Sequence, residues 1–123
     1  FALACPEHSS CGPTRDGRGK PDIVAPGNCL VAGMNEPNAY ELSGNWSSFA
    51  TPVVAGGAAL IRQARPDWPS ADIKAVLMNT AVGLTNDEGN AFPVSMAGAG
   101  RLDLADAVKL YRQECRIERV FGR

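Results

Sequence analysis

Histidine is almost missing from this chain: His8 is the only one among 123 residues. The four cysteines, Cys5, Cys11, Cys29 and Cys115, form no CxxC pair. A zinc site therefore has little to build from, and no metal or other cofactor is expected. Disulfides or free thiols remain. Four cysteines allow three connectivities, with the near neighbours Cys5 and Cys11 the easiest to bridge. This leans toward an oxidising compartment and a secreted or extracytoplasmic location.

Basic runs are missing as well. Twelve Lys+Arg stand against thirteen Asp+Glu for a formal charge of −1, and no stretch is suited to neutralising a phosphate backbone, so nucleic acid is not an expected partner. Long apolar runs are also scarce. The best of them, Phe49 to Ile61, is broken by Thr51, Pro52 and two glycines and falls short of the roughly 20 residues that cross a bilayer. It reads as a buried helix, and no membrane partner is expected. Phe1-Ala2-Leu3-Ala4 lacks the positive leading region and apolar core of a signal peptide. A start on Phe rather than Met leads to the expectation of a longer gene. No internal repeat is visible. The 45% hydrophobic content suits a globular unit, taken as residues 1–123, rather than a disordered tail.

Residues 8–28 are rich in Ser, Gly, Pro and charge, which is loop chemistry. Asp22-Ile23-Val24-Ala25 and Cys29-Leu30-Val31-Ala32 are short apolar runs read as strands kinked at Pro26-Gly27. Asn35-Glu36-Pro37-Asn38 turns the chain back through Ala39-Tyr40-Glu41-Leu42 as a hairpin. From Pro52 to Arg65, Val, Ala, Gly and Leu lie on nearly every face. This predicts a helix surrounded by protein, with Gly56 and Gly57 permitting close approach, Pro52 in its first turn and Arg65-Pro66 at its end. Ser70 is placed as the N-cap of an amphipathic surface helix from Ala71 to Thr80, with Ile73, Val76, Leu77 and Thr80 on one face. Asp87-Glu88-Gly89-Asn90 marks a loop. Asp103 is expected to cap a last helix with Leu104, Ala107, Val108 and Tyr111 aligned.

Chemistry concentrates at Ser47-Ser48-Phe49-Ala50-Thr51-Pro52. Two hydroxyls stand where a polar loop meets a helix start, beside unpaired backbone N–H groups and the positive end of the helix dipole. A serine attacking a carbonyl generates an oxyanion, and such a terminus supplies donors for it, the attacking residue's own amide included. Spacing alone equally allows Ser47 or Ser48 to be a plain N-cap.

The stretch from Ser48 to Ile61, Ser-Phe-Ala-Thr-Pro-Val-Val-Ala-Gly-Gly-Ala-Ala-Leu-Ile, resembles the signature around the catalytic serine of subtilisin-like serine proteases, the subtilases. Three further blocks resemble that family in the correct order. They are Ser9-Ser10-Cys11-Gly12-Pro13-Thr14, then Lys20-Pro21-Asp22-Ile23-Val24-Ala25-Pro26-Gly27, and a closing part with Pro66-Asp67-Trp68 and Gly98-Ala99-Gly100-Arg101-Leu102-Asp103. Ordered blocks at plausible separations are far harder to obtain by chance than one motif.

The resemblance implies an α/β fold. The chain would be the C-terminal portion of a subtilisin-like domain, a parallel sheet flanked by helices, with the central strands and N-terminal part absent. It also implies a serine endopeptidase acting on peptide or protein substrates. Ser48 is the implied nucleophile and oxyanion donor, and Ser47 stands where the family's Thr often adds a hydroxyl.

Departures from the family are equally specific. The catalytic Asp and His and the oxyanion Asn precede the segment matched here, so they are expected from upstream sequence or a partner chain. The chain alone is expected to be inactive, because a serine without a base is a poor nucleophile. His8 lacks the His-Gly-Thr-His context of the catalytic histidine and reads as a surface residue beside Glu7. Trp46 either replaces the family's Gly before the serine, or belongs with Asn45 to an insertion between Ser43-Gly44 and Ser47-Ser48. The sequon Asn45-Trp46-Ser47 is read as unused, since a glycan there would block a cleft. Cys11 and Asp22 are read as architectural, and Asp67, Asp72 and Asp103 as helix-start residues. The runner-up reading is a catalytically inactive subtilase-like binding or scaffolding module.

Overall fold

The computed structural model describes residues 9–32 and 37–110, with backbone only for 28–32 and 41–45. His8, Tyr111 and the side chains of Cys29 and Asn45 lie outside the described residues, as do Cys5 and Cys115. The element order is β1 (Asn28–Ala32), β2 (Tyr40–Asn45), α1 (Ser47–Ala64), α2 (Ser70–Asn79) and α3 (Val94–Ala97), followed by α4 over residues 104–110.

The expected hairpin forms. β1 and β2 are antiparallel, pairing Asn28 with Asn45, Leu30 with Leu42 and Ala32 with Tyr40. Asn38 takes a left-handed φ of 66° in the connection, a conformation that Asn tolerates better than most residues. Between the first two pairs, Cys29 alone stands opposite Ser43 and Gly44, so β2 carries a bulge that absorbs one extra residue just before Asn45 and Trp46.

The predicted strand over 22–25 does not form. In its place Val24 makes a single parallel bridge to Arg101, which also bridges antiparallel to Val82. Prolines at 21 and 26 remove backbone donors on both sides of the run, which cannot extend. Its backbone is satisfied by the 99–102 segment instead: Val24 N–H donates to Gly100 O at 3.0 Å and Leu102 N–H to Val24 O at 2.8 Å. Regular structure among the described residues is thus mostly helical, with one two-stranded ribbon. Among the described residues, the parallel sheet expected from the resemblance is represented only by the Val24–Arg101 bridge.

α1 begins five residues earlier than predicted. Trp46, at φ −126° and ψ 135°, occupies the N-cap, and Phe49 N–H donates to its carbonyl at 3.1 Å. Pro52 is therefore inside the helix rather than in its first turn, and it offers no N–H to the Ser48 carbonyl four residues back. The Thr51 hydroxyl donates to Ser47 O at 2.9 Å, adding a bond to this turn. The helix ends as expected, because Pro66 disfavours helical geometry at Arg65.

All-round burial of α1 is not seen among the described residues. Only Gly57 and Ile61 are buried, while Ala55, Gly56, Ala59 and Leu60 are exposed. The described elements cover one side of the helix and leave an apolar face open.

The N-cap of α2 is Pro69, not Ser70. Pro69 holds an extended backbone and its carbonyl accepts the Asp72 and Ile73 N–H groups. Ser70 is the first helical residue, and its hydroxyl oxygen accepts from Arg62 at 3.3 Å. Three of the four predicted inner-face residues, Ile73, Val76 and Leu77, join Ile61, Leu102 and Ala107 in the core, whereas Thr80 is the C-cap and its hydroxyl donates to Val76 O at 2.9 Å. Asp103 caps α4 as expected, its carboxylate accepting the Asp106 N–H at 3.0 Å. The 86–90 segment is a loop held by Asn86 Oδ1, which accepts from the Glu88 and Asn90 N–H groups.

Candidate active site

The strand-to-helix junction places the two serines. β2 runs through Asn45, Trp46 breaks the strand, and Ser47 and Ser48 open α1. Both are exposed, as is the Trp46 side chain at 45%. Ser48 is the second helical residue, so its amide N–H has no acceptor within the helix and is available to an incoming group. No acidic side chain sits in the first turn of α1, leaving the positive end of the helix dipole uncompensated by the helix itself. Such an end favours negative charge developing beside Ser48.

Trp46 takes an ordinary extended backbone, so the position makes no demand for glycine. The bulge at Ser43-Gly44 accommodates extra sequence immediately upstream. Both fit the alternative in which Asn45-Trp46 is inserted ahead of Ser47-Ser48.

The junction is pinned from the other side by Gly27, which sequence reasoning noted only as part of a kink. Trp46 N–H donates to Gly27 O at 3.2 Å. A Cβ on Gly27 would lie 2.7 Å from Trp46 O, closer than a Cβ and a carbonyl oxygen can approach. The available signal was the Pro-Gly pair within Lys20 to Gly27, but its target could not be read from the sequence.

The other residues singled out in the sequence lie apart from the serines in role. Asp22 bridges two cations, Lys20 and, at 2.7 Å, Lys74 on α2. The hydrogen bonds from Lys20 and then Lys74 hold its carboxyl below the ordinary carboxylate value. Asp67 faces solvent 3.7 Å from Arg65, whose guanidinium stacks over Trp68 at 4.6 Å. Asp72 lies in the first turn of α2. Cys11 is disulfide-bonded and so is not a reactive thiol. A groove of about 510 Å³ between α1 and α2 is lined by Ile23, Val54, Ala58, Ile73 and Leu77 among others, but by neither serine. Among the described residues no group of His, Cys, Asp or Glu is arranged to hold a metal, and no helix is long and apolar enough to cross a membrane.

The serine pair at an open helix start stands among the ordered blocks on which the family resemblance rests. The Subtilase family profile matches residues 4–103, and the chain belongs to that family.

The minor extracellular protease Vpr of Bacillus subtilis is 39% identical over 109 residues, covering 84% of this chain and 13% of Vpr. Subtilisin-like protease SBT3.16 of Arabidopsis thaliana is 40% identical over 87 residues, 71% of this chain and 11% of that protein. Serine protease AprX of Bacillus subtilis is 34% identical over 115 residues, 81% of this chain and 24% of AprX. The chain thus spans only a minor part of each of these relatives.

Proposed function

We propose that this chain supplies the nucleophile of a subtilisin-like serine endopeptidase. The observation that carries the reading is the position of Ser48, exposed in the first turn of α1 at the head of the family's serine-helix sequence. Ser48 Oγ attacks the carbonyl carbon of a scissile peptide bond as its proton passes to a histidine imidazole. The oxyanion receives the Ser48 N–H, and the amine departs with the proton returned by the imidazole. Water then cleaves the acyl-enzyme and restores the hydroxyl. The Ser47 hydroxyl stands beside this centre as an additional polar group.

The histidine, its orienting Asp and the oxyanion Asn come from sequence upstream of this segment or from a partner chain, in keeping with the small share of each relative matched here. This chain by itself is inactive in this account. In the assembled enzyme the segment belongs to the C-terminal part of a parallel α/β domain, where the missing strands cover the open apolar face of α1. The disulfide at Cys11 and the extracellular designation of Vpr support a secreted location.

One observation favours a second reading. Trp46 sets a half-exposed indole at the N-cap beside the serines, where it stands to crowd a substrate strand, as in a non-catalytic relative that only binds peptides. Peptide turnover by the full-length protein separates the two. Ser48→Ala is expected to lower kcat by at least ~10⁴-fold, and Ser47→Ala by about tenfold, the worth of one hydrogen bond. Turnover unaffected by Ser48→Ala would remove the endopeptidase reading.

A further inference from the structure

We propose that Gly27 is a positioning residue for Ser48, a role that rests on the nucleophile reading above. Two backbone contacts carry it. Trp46 N–H donates to Gly27 O at 3.2 Å, and Trp46 O accepts the Phe49 N–H at 3.1 Å, closing the first turn around Ser47 and Ser48. The Trp46 peptide is thus tied on one side to the 24–27 segment and on the other to the helix that bears the nucleophile.

The same Trp46 carbonyl lies against the open side of Gly27. A Cβ built there falls 2.7 Å from Trp46 O, 3.4 Å from Trp46 C and 3.7 Å from the Ala50 Cβ. The nearest obstacles are backbone atoms, which cannot swing aside as a flexible side chain can. The requirement is one of space and not of conformation, because Gly27 is not among the glycines at positive φ. Alanine would fit the backbone angles and still push the Trp46 carbonyl away. Moving that carbonyl tilts the peptide plane leading into Ser47 and pulls on the Phe49 N–H. Ser48 Oγ and the Ser48 amide, set between those two points, are re-aimed together. A reacting group misplaced by about 1 Å can lose about a hundredfold in rate, so a contact that never touches substrate sets the reactivity of the serine.

The test uses the full-length protein and a small fluorophosphonate. The second-order rate of Ser48 modification is measured per folded molecule, well below each variant's unfolding midpoint. Gly27→Ala is expected to slow modification by about tenfold to a hundredfold, and to lower kcat for a short peptide with KM changed less than about twofold.

Gly89→Ala is the control. Gly89 has a φ of +84°, strained for alanine, in the 86–90 loop, where its N–H donates to Asn86 O and Asn86 N–H to Asn90 O, away from the segment that holds Gly27. It is expected to lower the unfolding midpoint while leaving the modification rate per folded molecule unchanged. Pro26→Gly loosens the segment holding Gly27 without adding an atom, and is expected to slow modification several-fold, so the test survives if Gly27→Ala fails to fold. The proposal is overturned if the Gly27 and Pro26 variants react at the parent's rate, or if Gly27→Ala slows no more than Gly89→Ala. A parent protein left unmodified at Ser48 would instead overturn the nucleophile reading on which this one rests.

Discussion

Leu104 rests a side-chain methyl in the notch left by the absent side chain of Gly57. The contact joins α4 to the middle of α1, one turn before the fully buried Ile61, and so anchors the helix whose opposite end carries Ser48. The neighbouring Gly56 has nothing within 4 Å of a built Cβ and is exposed.

Gly57→Val overpacks the notch and is expected to destabilise the full-length protein by about 1–3 kcal/mol. Leu104→Ala removes the methyl that the new side chain would strike, so the double variant is expected to lose less than the sum of the two single losses. Urea unfolding checks this, and losses that simply add would show that α4 does not occupy the notch.

Asp22 gives a pH-dependent prediction. Its folded-state carboxyl lies below the ordinary 3.8, held there first by Lys20 and then by Lys74. The unfolded chain therefore takes up the proton first as pH falls. The stabilisation is fully present above the ordinary value and is lost as pH drops through the folded one. Asp22→Asn is expected to cost about 0.5–1 kcal/mol at pH 7 and progressively less below about pH 4. A stability difference from the parent that stays constant between pH 7 and pH 3 would contradict this.

The Asp103 carboxylate accepts the Asp106 N–H at the start of α4. Asp103→Ala is expected to cost about 1 kcal/mol and Asp103→Ser much less, since serine also caps. Thermal unfolding midpoints that fall equally for both variants would assign the residue a role other than capping.

Much of this architecture was legible because local chemistry and tertiary packing agree. The inner face of α2, the cap at Asp103, the turn at Asn38 and the stop at Arg65-Pro66 all follow from short-range rules that the surroundings do not override. The misreadings arose where they do. Pro52 signals a helix start, yet the helix begins at Ser47 because the N-cap is set by the hairpin exit at Trp46. Ser70 looks like a cap, but Pro69 already supplies the extended residue and Ser70 turns its oxygen to Arg62.

Residues 22–25 read as a strand because they are apolar, whereas proline on either side confines them to a bridge with Arg101. The apolar faces of α1 suggested enclosure, but the described elements pack against one side of the helix alone, at Gly57 and Ile61. For the candidate site, the placement of Ser47 and Ser48 at a helix start was legible from the motif and is seen in the structure. The contact of Gly27 with Trp46 was not, because a contact across 19 positions of sequence leaves no local pattern.

Mass spectrometric mapping of the full-length protein after fluorophosphonate treatment tests the central claim most directly. The account predicts one covalent adduct, on Ser48, absent from Ser47 and lost in Ser48→Ala. An adduct confined to another serine, or none on Ser48, would contradict it.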